Sequence, residues 1–162
     1  MALRMPTAAH SALLFALESA AAHAASATEL MQTVVRRLAE TVPEFNWVGF
    51  YMIDAADPGV LVLGPYVGAP TPHIRIPLNQ GICGAAASGG QTIVVDDVRS
   101  DPRYLACSLE TRSEIVAPVY AAGKVVGELD IDSHTPAAFT AEDRELVERA
   151  AAILGNYLES SR

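Results

Sequence analysis

Cysteine and basic residues are scarce in this sequence, and it contains no long apolar run and no internal repeat. Two cysteines among 162 residues are too few for the disulfide framework of a small secreted domain, so we expect buried thiols, redox groups or metal ligands instead. Lysine and arginine number 11 against 19 aspartates and glutamates, which gives a formal net charge of −8. Phosphate backbones and anionic membrane surfaces repel such a chain, and we therefore expect it to bind neither nucleic acid nor membranes.

The common sequence motifs for nucleotides and metals are also missing. The chain has no Walker loop and no Gly-x-Gly-x-x-Gly between a strand and a helix. It has no Cys-x-x-Cys, and its histidines are scattered at His10, His23, His73 and His134. We therefore predict no structural zinc, no other bound metal and no bound cofactor.

The N-terminal stretch, residues 1–26, superficially resembles a signal peptide, because Arg4 precedes an alanine-rich tract. His10 and Glu18 fall where such a peptide needs an uninterrupted apolar run, so the stretch is better interpreted as a helix. We accordingly expect a cytoplasmic protein.

The spacing of apolar residues predicts helices at both ends of the chain and strands between them. The first predicted helix covers residues 8–22, and the second begins at a cap on Ser26 or Thr28 and ends at Pro43. A short helix covers residues 83–88, and the last helix begins at Thr140, which forms an approximate capping box with Asp143. The predicted strands are residues 46–54, 60–66, 73–77, 92–95, 114–120 and 124–132. This order indicates an α+β fold, a central antiparallel sheet flanked by N- and C-terminal helices. We predict a single domain over 1–162, with N-terminal helices in 8–41, the sheet and its loops in 46–133, and a C-terminal helix in 140–160.

The segment from Gly127 to Asp132 carries three carboxylates on one face of a predicted strand. Glu128, Asp130 and Asp132 alternate with Leu129 and Ile131, so the acids share a face. One interpretation is a solvated face of an edge strand. The other is a site that needs negative charge, for an ammonium group, a metal, or a carboxyl kept protonated by its neighbours.

A second strand, around Trp47 and Tyr51, places two aromatic side chains on one face with Gly49 between them. This spacing predicts either a slot for a small apolar or cationic group, or ordinary core packing.

The two cysteines, Cys83 and Cys107, lie at element boundaries or in a loop, among small residues. Such surroundings favour accessible thiols over inert, packed ones.

Together these segments resemble the free-methionine-(R)-sulfoxide reductases, a family built on the GAF fold. The resemblance extends from Asn46 to Ser133. Its motifs are Asn46-Trp-Val-Gly-Phe-Tyr51, Leu63-Gly-Pro65, Ile74-Arg-Ile-Pro77, Gly81-Ile-Cys-Gly84, Leu105-Ala-Cys107, Ser113-Glu-Ile-Val116 and Leu129-Asp-Ile-Asp-Ser133.

The resemblance implies an enzyme that reduces free methionine-(R)-sulfoxide, with thioredoxin as its external reductant. By this resemblance Cys107 is the nucleophile and Cys83 its disulfide partner. The resemblance identifies the two cysteines of the disulfide more firmly than it identifies which of them attacks the substrate. The substrate-binding residues that it implies are the carboxylates Glu114, Asp130 and Asp132 and the aromatics Trp47 and Tyr51. One position departs from the family pattern, because His73 stands where a third cysteine is common.

The chemistry of a sulfoxide gives Glu114 a further role. The departing oxygen must take up protons, and a carboxyl crowded by Asp130 and Asp132 would stay protonated and donate to it. We therefore predict that Glu114 is the catalytic acid and that an aspartate binds the substrate ammonium, which would restrict the enzyme to the free amino acid.

Two alternatives stay open at this stage. The chain could be a non-catalytic GAF module that binds a small ligand or senses a signal, in which case both cysteines are dispensable. It could also be a metal-dependent hydrolase with Asp96, Asp97, Asp130 and Asp132 as oxygen ligands. A homodimer through the alanine-rich first helix is a further expectation.

Overall fold

The helices begin and end close to the positions that the sequence predicts. We describe residues 7–106 and 108–161 of a computed structural model. The helices are α1 (Ala8–His23), α2 (Ala27–Thr41), α3 (Gly81–Gly89) and α4 (Ala141–Ser160). Ser26, rather than Thr28, caps α2 by accepting a hydrogen bond from the Glu29 amide. Thr140 and Asp143 form a complete capping box at the start of α4.

The sheet is antiparallel throughout the described residues. Its strands are β1 (Trp47–Ile53), β2 (Val60–Val67), β3 (Arg75–Pro77), β4 (Ile93–Val95), β5 (Ser113–Ala121) and β6 (Lys124–Ser133). They are arranged in the order β3-β2-β1-β6-β5-β4. The last two strands in the chain thus insert between β1 and β4, which makes β6 an interior strand. This architecture confirms the predicted α+β fold of the GAF type.

The two faces of the sheet are covered differently. The apolar stripe of α2, which is buried as predicted, packs with α1 and α4 over Val48, Phe50, Leu129 and Ile131 to form the main core. The opposite face carries α3 and a smaller cluster that includes Trp47, Tyr51 and Cys83. Within the ranges described, no helix is both long and apolar enough to cross a membrane.

Three details differ from the expectation. Strand β2 ends at Val67, one residue beyond the predicted end at residue 66. Helix α3 starts at Gly81, two residues before the predicted start at Cys83. Between β4 and β5, where the sequence predicted no helix or strand, the described residues include a 3-10 turn at Val98–Ser100. The dimer and the extent of the single domain stay predictions.

Candidate active site

The strand register brings the aromatic row and the acidic row side by side. On β1 and β6 the directly opposed pairs are Trp47–Asp132, Gly49–Asp130 and Tyr51–Glu128. On β5, Glu114 lies opposite Asp132. Opposed residues in an antiparallel pair have Cβ atoms about 4.5–5.5 Å apart, so all these side chains line one patch of the sheet.

The carboxyls of this patch are buried. Glu128, Asp130, Asp132 and Glu114 are 0%, 2%, 3% and 5% exposed. The interpretation of a solvated edge-strand face is therefore wrong, because β6 lies between β1 and β5 and α3 covers the acidic side. The remaining interpretation, a site that concentrates acidic groups, is the one that fits.

Burial changes the protonation of these acids. It raises the pKa of Glu128 and of Asp132 well above the ordinary values, and the charge of Asp130 raises the pKa of Asp132 further. Burial also raises the pKa of Asp130 to about 6, against the opposing effect of hydrogen bonds from Glu114 and Cys83.

Cys83 belongs to the same cluster. It is the third residue of α3, and its Sγ donates a hydrogen bond to Asp130 Oδ2 at 3.4 Å. The side chain is 6% exposed, so the prediction of an accessible thiol at this position is wrong. Burial, followed by the charges of Asp130, Glu128 and Glu114, raises the pKa of Cys83 well above its ordinary value. In this environment Cys83 is a neutral thiol whose sulfur faces carboxyls.

The slot predicted between Trp47 and Tyr51 is filled. The indole of Trp47 lies across Gly49, where a methyl group would come within 2.7 Å of the indole Cζ3. The Trp47 ring stacks on Tyr51 and on Tyr66, with centroids 6.2 Å and 5.5 Å away. Gly49 therefore provides room for the tryptophan itself rather than for a ligand between two rings.

Both aromatics also hold the loop that follows β2. Trp47 Nε1 donates to the Ala69 carbonyl at 3.1 Å, and the Tyr51 hydroxyl donates to the His73 carbonyl at 2.7 Å. The edges of the aromatic row are thus fixed by hydrogen bonds to the backbone.

Cys107 lies outside the described residues, but the chain on either side of it borders the acidic patch. Its neighbour Ala106 accepts a hydrogen bond from His73 Nε2 at 3.1 Å. Leu105 packs on Gly81 at the start of α3, where a positive φ of 70° favours glycine. On the other side, Ser108 lines a cavity of about 80 Å³ together with Trp47 and Asp132. The Cys83–Cys107 disulfide stays a prediction.

The predicted site omitted Glu128. This residue lies opposite Tyr51, and neither of its carboxyl oxygens accepts a well-formed hydrogen bond from the described residues. Its side chain is close enough to Cys83 to affect the thiol pKa. The alternation from Gly127 to Asp132 had already placed Glu128 on this face, so the signal was present in the sequence.

The acids proposed for a metal-dependent hydrolase do not come together. In the described part of the chain, the group of side chains that could hold a metal consists of Cys83, Glu114 and Asp130. Asp96 and Asp97 are not in it, and Asp97 instead caps the 3-10 turn by accepting from the Arg99 amide.

Comparisons with known proteins agree with this geometry. The GAF domain family matches residues 26–158. Protein YtsP of Bacillus subtilis is 41% identical over 117 residues, which cover 72% of this chain and 71% of that protein. The free methionine-R-sulfoxide reductase of Escherichia coli is 35% identical over 124 residues, 76% of this chain and 73% of that one. The X-ray structure of free methionine-R-sulfoxide reductase from Neisseria meningitidis in complex with its substrate superposes with a TM-score of 0.90 at 35% identity, covering 100% of this chain and 95% of that chain.

Proposed function

The chain belongs to the GAF-domain family of free methionine-R-sulfoxide reductases, and we propose that it reduces free methionine-(R)-sulfoxide to methionine through Cys107 and Cys83. One observation carries the proposal. A buried thiol, Cys83, donates to a buried carboxylate, Asp130, inside a cluster of acids that lies beside an aromatic row.

In the first step the Cys107 thiolate attacks the sulfur of the sulfoxide. The S–O bond of the substrate breaks, its sulfur gains two electrons, and the oxygen is transferred to Cys107 as a sulfenic acid. The environment of Cys83 supports this order of attack, because a neutral thiol among carboxyls is a poor nucleophile. Cys83 is accordingly the resolving cysteine.

Glu114 supplies the proton that the sulfoxide oxygen needs. We assign it the proton of its contact with Asp130, because a carboxyl crowded by other carboxyls resists a further charge, and its position on β5 is fixed by the register with Asp132. A neutral carboxyl can donate to the oxygen as negative charge develops on it, which is the usual arrangement for general acid catalysis.

Asp132 is the carboxyl placed to bind the substrate ammonium. It lines the cavity beside Trp47, and its pKa is raised by burial and by Asp130. An ammonium group would offset both effects and restore the ionised form. A methionine inside a polypeptide has no ammonium, so the enzyme is specific for the free amino acid.

In the second step the Cys83 sulfur attacks the sulfenic acid, water leaves, and a disulfide forms. The Cys83 proton passes to Asp130, which already accepts its hydrogen bond at 3.4 Å. Thioredoxin, acting as a dithiol, then reduces the disulfide and restores both thiols. The balance is one sulfoxide and one dithiol consumed for one methionine, one water and one disulfide.

His73 positions the Cys107 segment. It replaces a cysteine common in the family, and its ring donates to the carbonyl of Ala106, the residue before the nucleophile. The two remaining cysteines suffice for the one disulfide that the reaction requires.

The test is a thioredoxin-coupled assay with the two epimers of free methionine sulfoxide, on the wild type and on Cys83→Ser and Cys107→Ser. We expect turnover with the R epimer only, no methionine from Cys107→Ser, and a single equivalent of methionine per chain from Cys83→Ser. Sustained turnover by either variant, or reduction of sulfoxides in intact proteins, would contradict the proposal.

A further inference from the structure

The acidic cluster has the donor spacing of a metal site. The ligand atoms of Cys83, Glu114 and Asp130 all lie within 4.8 Å of one another, and all three residues are buried. The Cys83 Sγ and Asp130 Oδ2 are 3.4 Å apart. In a tetrahedral zinc site, bonds of about 2.3 Å to sulfur and about 2.1 Å to oxygen put these two ligands about 3.5 Å apart. This pair is thus already at the separation that one ion would require.

Glu128 adds an independent observation. It is fully buried, and neither of its carboxyl oxygens has a well-formed hydrogen bond among the described residues. Burying a carboxyl without a well-formed hydrogen bond is costly, and Glu128 faces the Cys83 thiol of the cluster, so a cation bound by the cluster would satisfy it. It lies beside the Cys83 thiol but outside the group of three whose ligand atoms are within 4.8 Å of one another, so it supports the site as a neighbouring carboxyl.

We propose that Cys83, Glu114 and Asp130 bind one Zn²⁺ ion, that the neighbouring carboxyl of Glu128 supports the bound ion, and that the ion excludes the sulfoxide substrate. The exclusion rests on the proposed function, because the ion would occupy the catalytic acid, the resolving thiol and its base.

The donor set selects zinc over the abundant hard cations. Mg²⁺ and Ca²⁺ take oxygen ligands only, and Mg²⁺ requires near-octahedral geometry. A thiolate at the centre of the set favours Zn²⁺, which accepts mixed sulfur and oxygen ligands in a tetrahedron.

Binding would exchange protons for the ion. The Cys83 thiol donates a hydrogen bond to Asp130 in the metal-free state, and the thiol and the carboxyls must be without their protons to bind the ion. The dication offsets the negative charge that these groups develop when they lose their protons. Zinc affinity should therefore rise with pH, with proton release into the buffer.

Co²⁺ is the probe of choice because thiolate coordination gives it an intense near-ultraviolet charge-transfer band. Reduced, full-length protein is titrated with Co²⁺ near neutral pH in a buffer that does not chelate metals, and Zn²⁺ binding is followed by calorimetry. We expect one ion per chain, a thiolate-to-cobalt band, and displacement of Co²⁺ by Zn²⁺.

Substitutions test the ligand set. Cys83→Ser should lose the band while Cys107→Ser keeps it, and Cys83→Ala checks that the loss does not depend on the serine. Glu128→Gln should weaken Zn²⁺ binding roughly tenfold or more, the scale of losing support at a metal site. Glu145→Gln, which removes an exposed carboxylate of α4 paired with Arg149, should leave the affinity unchanged. Circular dichroism verifies the fold of each variant.

The proposal is overturned if the wild type gives neither band nor heat, if the band survives in Cys83→Ser, or if Glu128→Gln binds Zn²⁺ like the wild type. A separate arm measures reductase activity, where Zn²⁺ should inhibit in competition with the sulfoxide and a chelator should reverse the inhibition. Metal binding to a protein that never reduces the sulfoxide would refute the proposed function and leave the zinc site standing. Reductase activity in a protein that binds no metal would support the proposed function and refute the zinc site.

Discussion

Replacement of Glu114 by glutamine tests the acid directly, because it removes the proton and changes little else. The side chain is 5% exposed and lies opposite Asp132, so the shape of the group matters for packing. Glutamine has the same shape, and its amide N–H can still donate to Asp130. The fold and the hydrogen bond are thereby preserved while the acidic proton is lost.

The expected effect follows from the position of that proton. A positioned general acid contributes about 10²–10⁴-fold to a rate, and we expect the lower end, about a hundredfold, because the amide of the introduced glutamine keeps part of the hydrogen bonding to the oxygen. A hundredfold loss corresponds to about 2.7 kcal/mol of transition-state stabilisation. The loss should appear in kcat rather than in KM, since the proton moves only as the S–O bond breaks.

The chemical step is measured as methionine formed in a single turnover without thioredoxin, over a range of pH. The wild-type rate should exceed the Glu114→Gln rate by about a hundredfold. The matched control is Glu145→Gln, at an exposed glutamate of α4 that pairs with Arg149, which should behave as the wild type. An undiminished single-turnover rate in Glu114→Gln, or a change confined to KM, would refute the role of the acid.

Three further substitutions probe the protonation, the packing and the loop of the site. Asp130→Asn should stabilise the fold near neutral pH by at most about 3 kcal/mol, because the pKa of Asp130 rises from 3.8 to about 6 on folding and each unit is worth about 1.36 kcal/mol. The folded state holds this proton more tightly than the unfolded state, so the destabilisation by Asp130 is absent below pH 3.8 and complete above about pH 6. The free energy of unfolding of both proteins is measured with urea at about pH 4 and about pH 7. A difference between Asp130→Asn and the wild type that does not widen at the higher pH would contradict the prediction. Gly49→Ala should displace the indole of Trp47, the one tryptophan of the chain, and destabilise the fold by about 1–3 kcal/mol. An unchanged fluorescence emission spectrum would show that the ring does not lie over residue 49. His73→Ala removes the hydrogen bond to Ala106 and should slow the single-turnover rate roughly tenfold through misplacement of the adjoining nucleophile. A rate equal to that of the wild type would exclude this positioning role.

Each of these substitutions has a matched control in the same chain. Asp96→Asn changes an exposed aspartate. Gly89→Ala adds a methyl group at a position with no atom within 4 Å. His23→Ala removes an exposed histidine at the end of α1. All three should leave stability and the single-turnover rate near the wild-type values.

The sequence predicted those features of the fold that depend on residues close together in the chain. The capping box of Thr140 and Asp143 depends on residues three apart, and it forms as expected. The alternation around Asp130 depends on the pleat of one strand, so the shared face of the acids could be predicted before the sheet was known. The aromatic row followed from the same rule.

The environment of those residues depends on contacts that are distant in sequence. Whether β6 is an edge or an interior strand depends on its pairing with β1, about 80 residues earlier, and a polar face looks the same in either position. Small residues near Cys83 indicated access to solvent, whereas Ala86 and Ala87 are buried because they allow α3 to pack closely on the sheet. Likewise the space above Gly49 is filled by Trp47, whose side chain leans along its own strand.

The arrangement of the sheet explains how the protein tolerates a buried acidic cluster at all. Four buried carboxyls and a thiol on one face oppose folding, because burial penalises each charge and neighbouring charges repel. The opposite face is apolar, and α1, α2 and α4 pack on it to form the main core. The stabilising contacts and the reactive groups thus use alternate residues of the same strands. Leu129 and Ile131 contribute to the core, while Asp130, between them, contributes to the site. Apolar residues in place of these acids would pack without the cost of burying charged groups. The cluster is therefore retained for its chemistry.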